Sequence, residues 1–213
     1  MNEDLLRFKN NQNYLFFDFE TCSLNLGSKE NKPWQIGYMV IQKGKIVEKK
    51  DCWIYWDDLN MSDAAAKMTG WTKSAYKKKA KPAEPILQDF EKYLYDDSYI
   101  NVGHNILGFD IYIHGIYRRC LGKSPDYSYI KRSIDTLCLA KAIKNKIEYN
   151  QDDSYFNWQY RLNNMIDRKS KKKLIDLCKY YNIEIDSSRL HDALYDIEQN
   201  YEVFKKMIWE VEI

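Results

Sequence analysis

The stretch YLFFDFETCSLN, Tyr14–Asn25, predicts a buried strand that ends on two carboxylates. Side chains two apart on a strand point to the same face, so Asp18 and Glu20 project together while Phe17 and Phe19 pack on the other face. Two like charges this close are unfavourable unless a cation lies between them. The pair therefore predicts either a divalent metal site, since Mg²⁺ and Mn²⁺ prefer carboxylate oxygens, or a strand that emerges into water at Asp18.

Composition limits the classes of protein that this chain can represent. The 213 residues are 45% hydrophobic, enough for a sizeable core, and the net charge of +2 neither identifies nor excludes a nucleic-acid-binding protein. The five cysteines form no C-x-x-C pair, which argues against a zinc site or a disulfide framework. There is no apolar signal core and no run of about 18 apolar residues. We therefore expect a soluble, cytoplasmic protein that does not bind a membrane.

The rest of the sequence alternates between strand and helix patterns. Residues Trp34–Trp56 predict a hairpin that turns at Lys43–Gly44. This pattern predicts an α/β protein with a mixed sheet covered by helices, in one domain over 1–213, with an N-terminal extension over 1–12 and an insertion or loop over 144–171. The other predicted strands are Asn13–Phe19, Ser98–His104 and Ser133–Asp135, and the predicted helices are Ser62–Met68, one with Pro85 in its first turn, Ile111–Leu121, Thr136–Ile143, Lys172–Tyr181 and Asp192–Trp209.

Two further stretches carry acids near predicted helix starts. In NVGHNILGFDIYIHG, Asp110 follows a strand and begins a helix, which places it either at a site on the sheet end or as a first-turn acid favoured by the helix dipole. In LHDALYDIEQNY, His191 and Asp196 are five residues apart, about 140° around a continuous helix. They converge only if His191 lies on the turn before the helix. The alternative is a helix-entry histidine and a surface aspartate.

Taken in order, the three stretches resemble one family. FFDFET, GHNILGFD and HDALYD resemble the three motifs of the DEDDh branch of the DnaQ-like 3′–5′ exonucleases, and MTGWT and IDTLCLAK are similar to its minor segments. The resemblance covers Asn13 to Ile208 except 144–171. In the second motif, His104 stands one residue further from Asp110 than the histidine of the family's H-N-x-x-F-D form does. Counted from Asn105, the residues match the N-I-x-x-F-D form. Asp192 stands where the tyrosine branch of the family has tyrosine.

The resemblance implies a ribonuclease H-like fold, with a mixed five-stranded sheet flanked by helices. It implies a metal-dependent 3′–5′ exonuclease that acts on single-stranded DNA or RNA 3′ ends, DNA favoured, and releases nucleoside 5′-monophosphates. Alternatives are an exoribonuclease for short RNA and a catalytically silent nucleic-acid-binding module. In the catalytic set that the resemblance implies, two Mg²⁺ or Mn²⁺ ions are held by Asp18, Glu20, Asp110 and Asp196, with His191 as the general base. The implied substrate contacts are Phe19, Thr21, Leu24, Asn105 and Phe109.

Several other residues have plain structural interpretations. The spacing makes His104 a poor candidate for chemistry, His114 lies inside a helix, and Asp135 is placed to cap one. The lysine run 77–79 predicts either a solvated face or a track for phosphates. The aromatic residues of 155–160 either stack on bases or pack the segment onto the domain.

Overall fold

The computed structural model describes residues 5–23, 25, 26, 28, 30–166 and 173–213, and it contains one mixed six-stranded sheet. The strand order is β4-β3-β2-β1-β5-β6, in which β1 pairs antiparallel with β2 and parallel with β5. All five expected strands are present, and the two-residue β4 adds a sixth at the β3 edge. The strands are β1 Asn13–Thr21, β2 Pro33–Gln42, β3 Lys45–Tyr55, β4 Lys81–Pro82, β5 Tyr99–Gly103 and β6 Ser133–Asp135.

Eight α-helices cover the two faces of this sheet in the described part of the chain. Short polar side chains cap several of them, as where Ser62 Oγ accepts from the Ala65 N–H at the start of α1, and Gly70 ends that helix with φ of 67°. The helices are α1 Asp63–Thr69, α2 Lys73–Lys79, α3 Ala83–Leu94, α4 Asp110–Cys120, α5 Thr136–Asn145, α6 Tyr155–Asn164, α7 Leu174–Tyr180 and α8 Ala193–Met207. The α/β class and the predicted helices are thus confirmed, except that Lys172, where one of them is predicted to begin, lies outside the described residues.

The central strand β1 separates two hydrophobic clusters. Phe17 packs on Phe90 of α3, with ring centroids 5.2 Å apart, as the alternation predicts. On the other face, Phe16 packs on Phe204 of α8 at 5.6 Å. Asp18 shares the parity of Phe16, so its side chain lies on the α8 face of the sheet.

The predicted hairpin forms as expected. Strands β2 and β3 are joined at Lys43 and Gly44, whose φ angles of 50° and 73° are those of a tight two-residue turn. The hairpin places Gly37 of β2 directly beside Asp18 of β1. It therefore forms part of the surface on which α8 lies.

The polar segment 144–171 contains the helix α6, and residues 167–171 lie outside the described part. Trp158 and Gln159 are buried, at 3% and 0% exposure. The Gln159 amide accepts from the Asp135 N–H at 2.7 Å and donates to the Ser133 carbonyl at 2.7 Å. These bonds fasten α6 to the outer strand β6.

The residues before β1 pack against the end of the chain. Leu5 is buried, and the Leu6 N–H donates to the Ile213 carbonyl at 2.8 Å. Among the described residues, no helix is long and apolar enough to cross a membrane.

Candidate active site

A cleft of about 570 Å³ opens at the end of β1, where strand, loop and helix termini meet. Its lining brings together the acids and the histidine from all three sequence stretches. The lining residues are Asp18, Phe19, Glu20, Thr21, Ser23, Ser62, Ala64, Ala65, Met68, Thr69, His104, Asn105, Phe109, Asp110, His191 and Asp196.

Asp18 and Glu20 project from β1 into this cleft on the same face. Burial, and then the nearby charges of Asp110, Glu20 and Asp196, raise the pKa of Asp18 well above its ordinary value. Burial and the charge of Asp196 likewise raise the pKa of Glu20 well above its ordinary value. The two carboxylates are therefore held where their charged forms are unfavourable without a cation.

Asp110 is the first residue of α4 and is almost completely buried. Its Oδ1 accepts the Phe19 N–H at 2.9 Å, which ties the second motif to the strand that carries the first. Burial raises the pKa of Asp110, and the Phe19 N–H opposes that rise. Asp110 is thus a positioned acid of the cleft.

His191 lies on the turn before α8, and Asp196 lies in its first turn. The His191 backbone has φ of 65°, and its N–H donates to Asp196 Oδ2 at 3.2 Å. Side-chain ligand atoms of Glu20, His191 and Asp196 all lie within 4.8 Å of one another. Because His191 lies on this turn and not inside the helix, the side chains of His191 and Asp196 both reach the end of β1 despite their five-residue spacing.

Gly37 allows the start of α8 to approach the sheet. A Cβ at this position would lie 2.6 Å from both the Ala193 carbonyl carbon and the Leu194 nitrogen, closer than packed atoms approach. Because these are backbone atoms, they have no side-chain freedom with which to yield. Gly37 therefore sets the distance between α8 and Asp18, its neighbour in the sheet.

The loop before Asp110 is held by the buried carboxylate of Asp135. This carboxylate accepts the Asn105 N–H at 2.8 Å and the Leu107 N–H at 3.1 Å, as well as the Leu137 N–H at the start of α5. The expected helix cap is therefore present, and the same group also fixes the loop. Burial raises the pKa of Asp135 to about 6.

Four of the predicted substrate contacts line the cleft, namely Phe19, Thr21, Asn105 and Phe109. The fifth, Leu24, lies outside the described residues. His104, which its spacing makes a poor candidate for chemistry, also reaches the cleft wall and lies 3.1 Å from Thr136 Oγ1 through Nδ1.

One wall of the cleft, the α1 wall, comprises Ser62, Ala64, Ala65, Met68 and Thr69, and its place at the cleft does not follow from the sequence pattern. The sequence does predict the helix, but only the path of the chain after the hairpin carries it to the cleft. The MTGWT resemblance was the one signal for it.

The donor set fits divalent cations. Oxygen donors from four carboxylates converge on one cleft, and burial raises the pKa of Asp196 to about 7. Among the described residues, Asp196 Oδ1 is a buried atom without a hydrogen-bond partner. An unpartnered carboxylate oxygen beside other buried acids is the arrangement that a hard cation such as Mg²⁺ or Mn²⁺ satisfies.

The family follows from a match over most of the chain. The family model for RNase_T, described as exonuclease, matches residues 15–204, which include all three motif stretches. The chain belongs to the RNase_T exonuclease family. The resemblance to the DnaQ-like exonucleases, and with it the ribonuclease H-like fold, is confirmed.

Solved structures share the fold of this RNase_T family chain. A zinc-bound complex of Escherichia coli exonuclease I with single-stranded DNA is 18% identical, with a TM-score of 0.68 over 91% of this chain and 40% of that one. E. coli exonuclease I with a dT13 oligonucleotide is 17% identical, with a TM-score of 0.70 over 93% and 41%. Apo exonuclease I is 16% identical, with a TM-score of 0.69 over 93% and 44%.

These likenesses concern the fold. The chain spans less than half of the length of the exonuclease I chains it matches. No curated protein sequence is similar enough to this chain to count as a relative.

Proposed function

We propose that this protein is a metal-dependent 3′–5′ exonuclease of the DEDDh branch. Its substrate would be single-stranded nucleic acid with a free 3′ end, DNA favoured, and its product a nucleoside 5′-monophosphate. The observation that carries this proposal is the approach of ligand atoms of Glu20, His191 and Asp196 to within 4.8 Å, in the cleft that Asp18 and Asp110 also line. If His191 were only a helix-entry residue and Asp196 only a surface residue, neither side chain would need to lie beside Glu20 at the end of β1.

The four carboxylates would hold two divalent cations, Mg²⁺ or Mn²⁺. When bound, such ions lower the pKa of water and offset the charge that develops on a departing alkoxide. Asp18, Glu20 and Asp196 would supply oxygen donors to these cations. Asp110, whose Oδ1 accepts the Phe19 N–H, would supply another.

His191 would take the proton of the attacking water. The His191 side chain is exposed, but partial desolvation and the charge of Lys173 lower its pKa below the ordinary value of 6.5, so the imidazole is neutral and can accept a proton at pH 7. The water oxygen bonds to the terminal phosphorus as the bond from that phosphorus to the upstream 3′ oxygen breaks, and the departing 3′ oxygen takes up a proton from solvent to become the new 3′-OH. Phe19, Thr21, Asn105 and Phe109 would border the terminal nucleotide.

The test is degradation of matched, 5′-labelled DNA and RNA oligomers with Mg²⁺, Mn²⁺ or EDTA. The expected result is a ladder that shortens from the 3′ end, releases mononucleotides and stops in EDTA. A 3′-phosphate should inhibit, because it adds negative charge beside the acids. Faster loss of the RNA would favour the exoribonuclease alternative, and cuts in a circular strand would indicate an endonuclease.

The matched variants are Asp18→Ala, in the cleft, and Asp97→Ala, whose side chain is 96% exposed. We expect Asp18→Ala to abolish cleavage and Asp97→Ala to retain it. Binding of the oligomer by wild-type protein without any cleavage would support the silent binding module instead.

A further inference from the structure

Helix α6 sorts its aromatic side chains onto two faces. Trp158 is 3% exposed and packs on Tyr155, with ring centroids 5.6 Å apart. Phe156 and Tyr160 lie on another side, one helical turn apart, and Tyr160 is 57% exposed. Phe156 is half-buried, and its ring lies 6.1 Å from the Tyr160 ring and is inclined to it by only 31°, so the two rings form one continuous aromatic surface. We call Phe156 and Tyr160 the aromatic ledge.

The aromatic ledge leads to the rim of the cleft. Asn163 lies seven residues after Phe156 and three after Tyr160, on the same side of α6. A Cβ at Gly108 would lie 2.5 Å from Asn105 Oδ1 and 3.3 Å from Asn163 Oδ1, which places the two amides next to each other. Asn105 lines the cleft. The ledge thus begins one turn from the rim and ends about 10 Å from it, measured along the helix axis.

We propose that the aromatic ledge stacks the bases of the single-stranded substrate upstream of its terminal nucleotide. This inference rests on the proposed function and adds a second binding surface to it. Every base presents a π-face to an exposed ring, so stacking of this kind tolerates any sequence. The continuity of the ledge with the cleft at Asn105 favours the substrate over a protein partner.

The chain offers a matched control on a different surface. Tyr180 is 67% exposed and pairs with Tyr181 at 4.9 Å, but these rings meet edge to face at 83°. Tyr180 and Tyr181 line a separate cavity, between α5, α7 and α8, that includes no residue of the cleft. Tyr180→Ala therefore removes an exposed tyrosine away from the proposed path of the strand.

The experiment measures binding of an oligonucleotide, so that the role of the aromatic ledge is tested separately from cleavage. All proteins carry Asp18→Ala, with Mg²⁺ present, so that the ligand is not consumed. Fluorescence anisotropy gives the Kd for a 5′-labelled dinucleotide and for an oligomer of about twelve nucleotides, a length within the range that single-strand-binding sites cover. The variants are Phe156→Ala with Tyr160→Ala, the ring-conserving Phe156→Tyr and Tyr160→Phe, and Tyr180→Ala.

We expect the double alanine variant to bind the oligomer about tenfold more weakly for each ring removed, with the Kd of the dinucleotide unchanged. The ring-conserving variants and Tyr180→Ala should match the parent. An equal loss at both lengths, an unchanged Kd for the oligomer, or no binding of the oligomer by the parent would overturn the inference. Cleavage by protein that retains Asp18 is scored separately, so a failure of the proposed function shows there alone.

Discussion

His191 enters the cleft because its backbone adopts a left-handed conformation, with φ of 65°. Such angles are uncommon outside glycine but are enriched in histidine, asparagine and aspartate. The conformation lets the His191 N–H reach the carboxylate of Asp196, five residues later. A single backbone angle therefore places the two groups of the third motif together.

Replacing this histidine tests its role as a base. His191→Ala should lower kcat by about 10²–10⁴-fold with KM little changed. Because partial desolvation and the charge of Lys173 lower the pKa of His191, the acid limb of the wild-type pH–rate profile should lie below pH 6.5 and should vanish in the variant. Steady-state kinetics across pH measure both. Ser187→Ala, an exposed change just before the same turn, should behave as wild type, and near-normal rates in His191→Ala would remove it from the mechanism.

Asp18 gives a prediction about stability in the absence of metal. Its pKa is raised in the folded state, so the folded protein binds a proton that the unfolded chain releases, and stability falls as pH rises above the ordinary value of 3.8. Asp18→Asn removes this penalty. In EDTA, its Tm should exceed that of wild type by a margin that widens as pH rises above the ordinary value of 3.8.

The comparison is made by thermal unfolding at each pH. Asp97→Asn, at a largely exposed side chain, should track the wild type throughout. A margin that shrinks as pH rises would mean that the buried acids are not destabilising when charged.

Helix α8 carries Asp196 and directly follows the turn that carries His191, and its position depends on the strand that it packs against. Asp192 caps the helix by accepting the Tyr195 N–H at 3.1 Å, while Gly37 lets the Ala193–Leu194 backbone contact the sheet. The helix can approach Asp18 this closely only because β2 has no side chain at that point. Gly37 therefore has a structural role, and through the position of α8 it controls the geometry of the site.

Gly37→Ala should move the start of α8 away from β1. We expect kcat/KM to fall by about 10²-fold, since a shift of about 1 Å in a site has that effect. The concentration of Mn²⁺ for half-maximal activity should rise, because Asp196 moves with the helix. Kinetics with varied Mn²⁺ separate this from simple loss of stability.

Val40→Ile is the control, since it adds one carbon to the same strand in the cluster that excludes α8. Overpacking of this kind destabilises by about 1–3 kcal/mol in either variant. If both variants lose Tm and only Gly37→Ala changes the Mn²⁺ requirement, the positioning role stands. An equal Mn²⁺ requirement in both would contradict it.

Considered as a whole, the molecule places a cluster of acids in a cleft at the end of β1, the strand that separates two hydrophobic clusters. Each cluster packs on one face of the same sheet. Ligands that bind only the folded state stabilise it by mass action. The overall stability of the protein should therefore report on cation binding.

Mg²⁺ or Mn²⁺ should raise the Tm in a concentration-dependent way. At about one hundred times Kd, the gain is about 2.7 kcal/mol, or roughly 5–10 °C for a chain of this size. Differential scanning fluorimetry measures it. Asp196→Ala should abolish most of the shift and Asp97→Asn should keep it, whereas a wild-type Tm that is indifferent to both ions would exclude a cation site in the cleft.

The sequence alone determined the features that depend on near neighbours along the chain. Alternation in β1 separated Phe17 and Phe19 from Asp18, and the Lys43–Gly44 turn set the hairpin. Helix starts and ends followed from caps such as Ser62 and Gly70. These signals are local because strand period, turn angles and capping hydrogen bonds involve residues only a few positions apart.

How these parts meet depends on packing between distant segments of the chain. The five-residue spacing of His191 and Asp196 does not reveal that the His191 side chain lies beside Glu20. The polar sequence of 144–171 does not reveal that Gln159 is buried against β6. The α1 wall of the cleft and the close approach at Gly37 likewise depend on contacts between distant parts of the chain. Packing in three dimensions fixes such contacts, because burial of each face depends on which partner covers it.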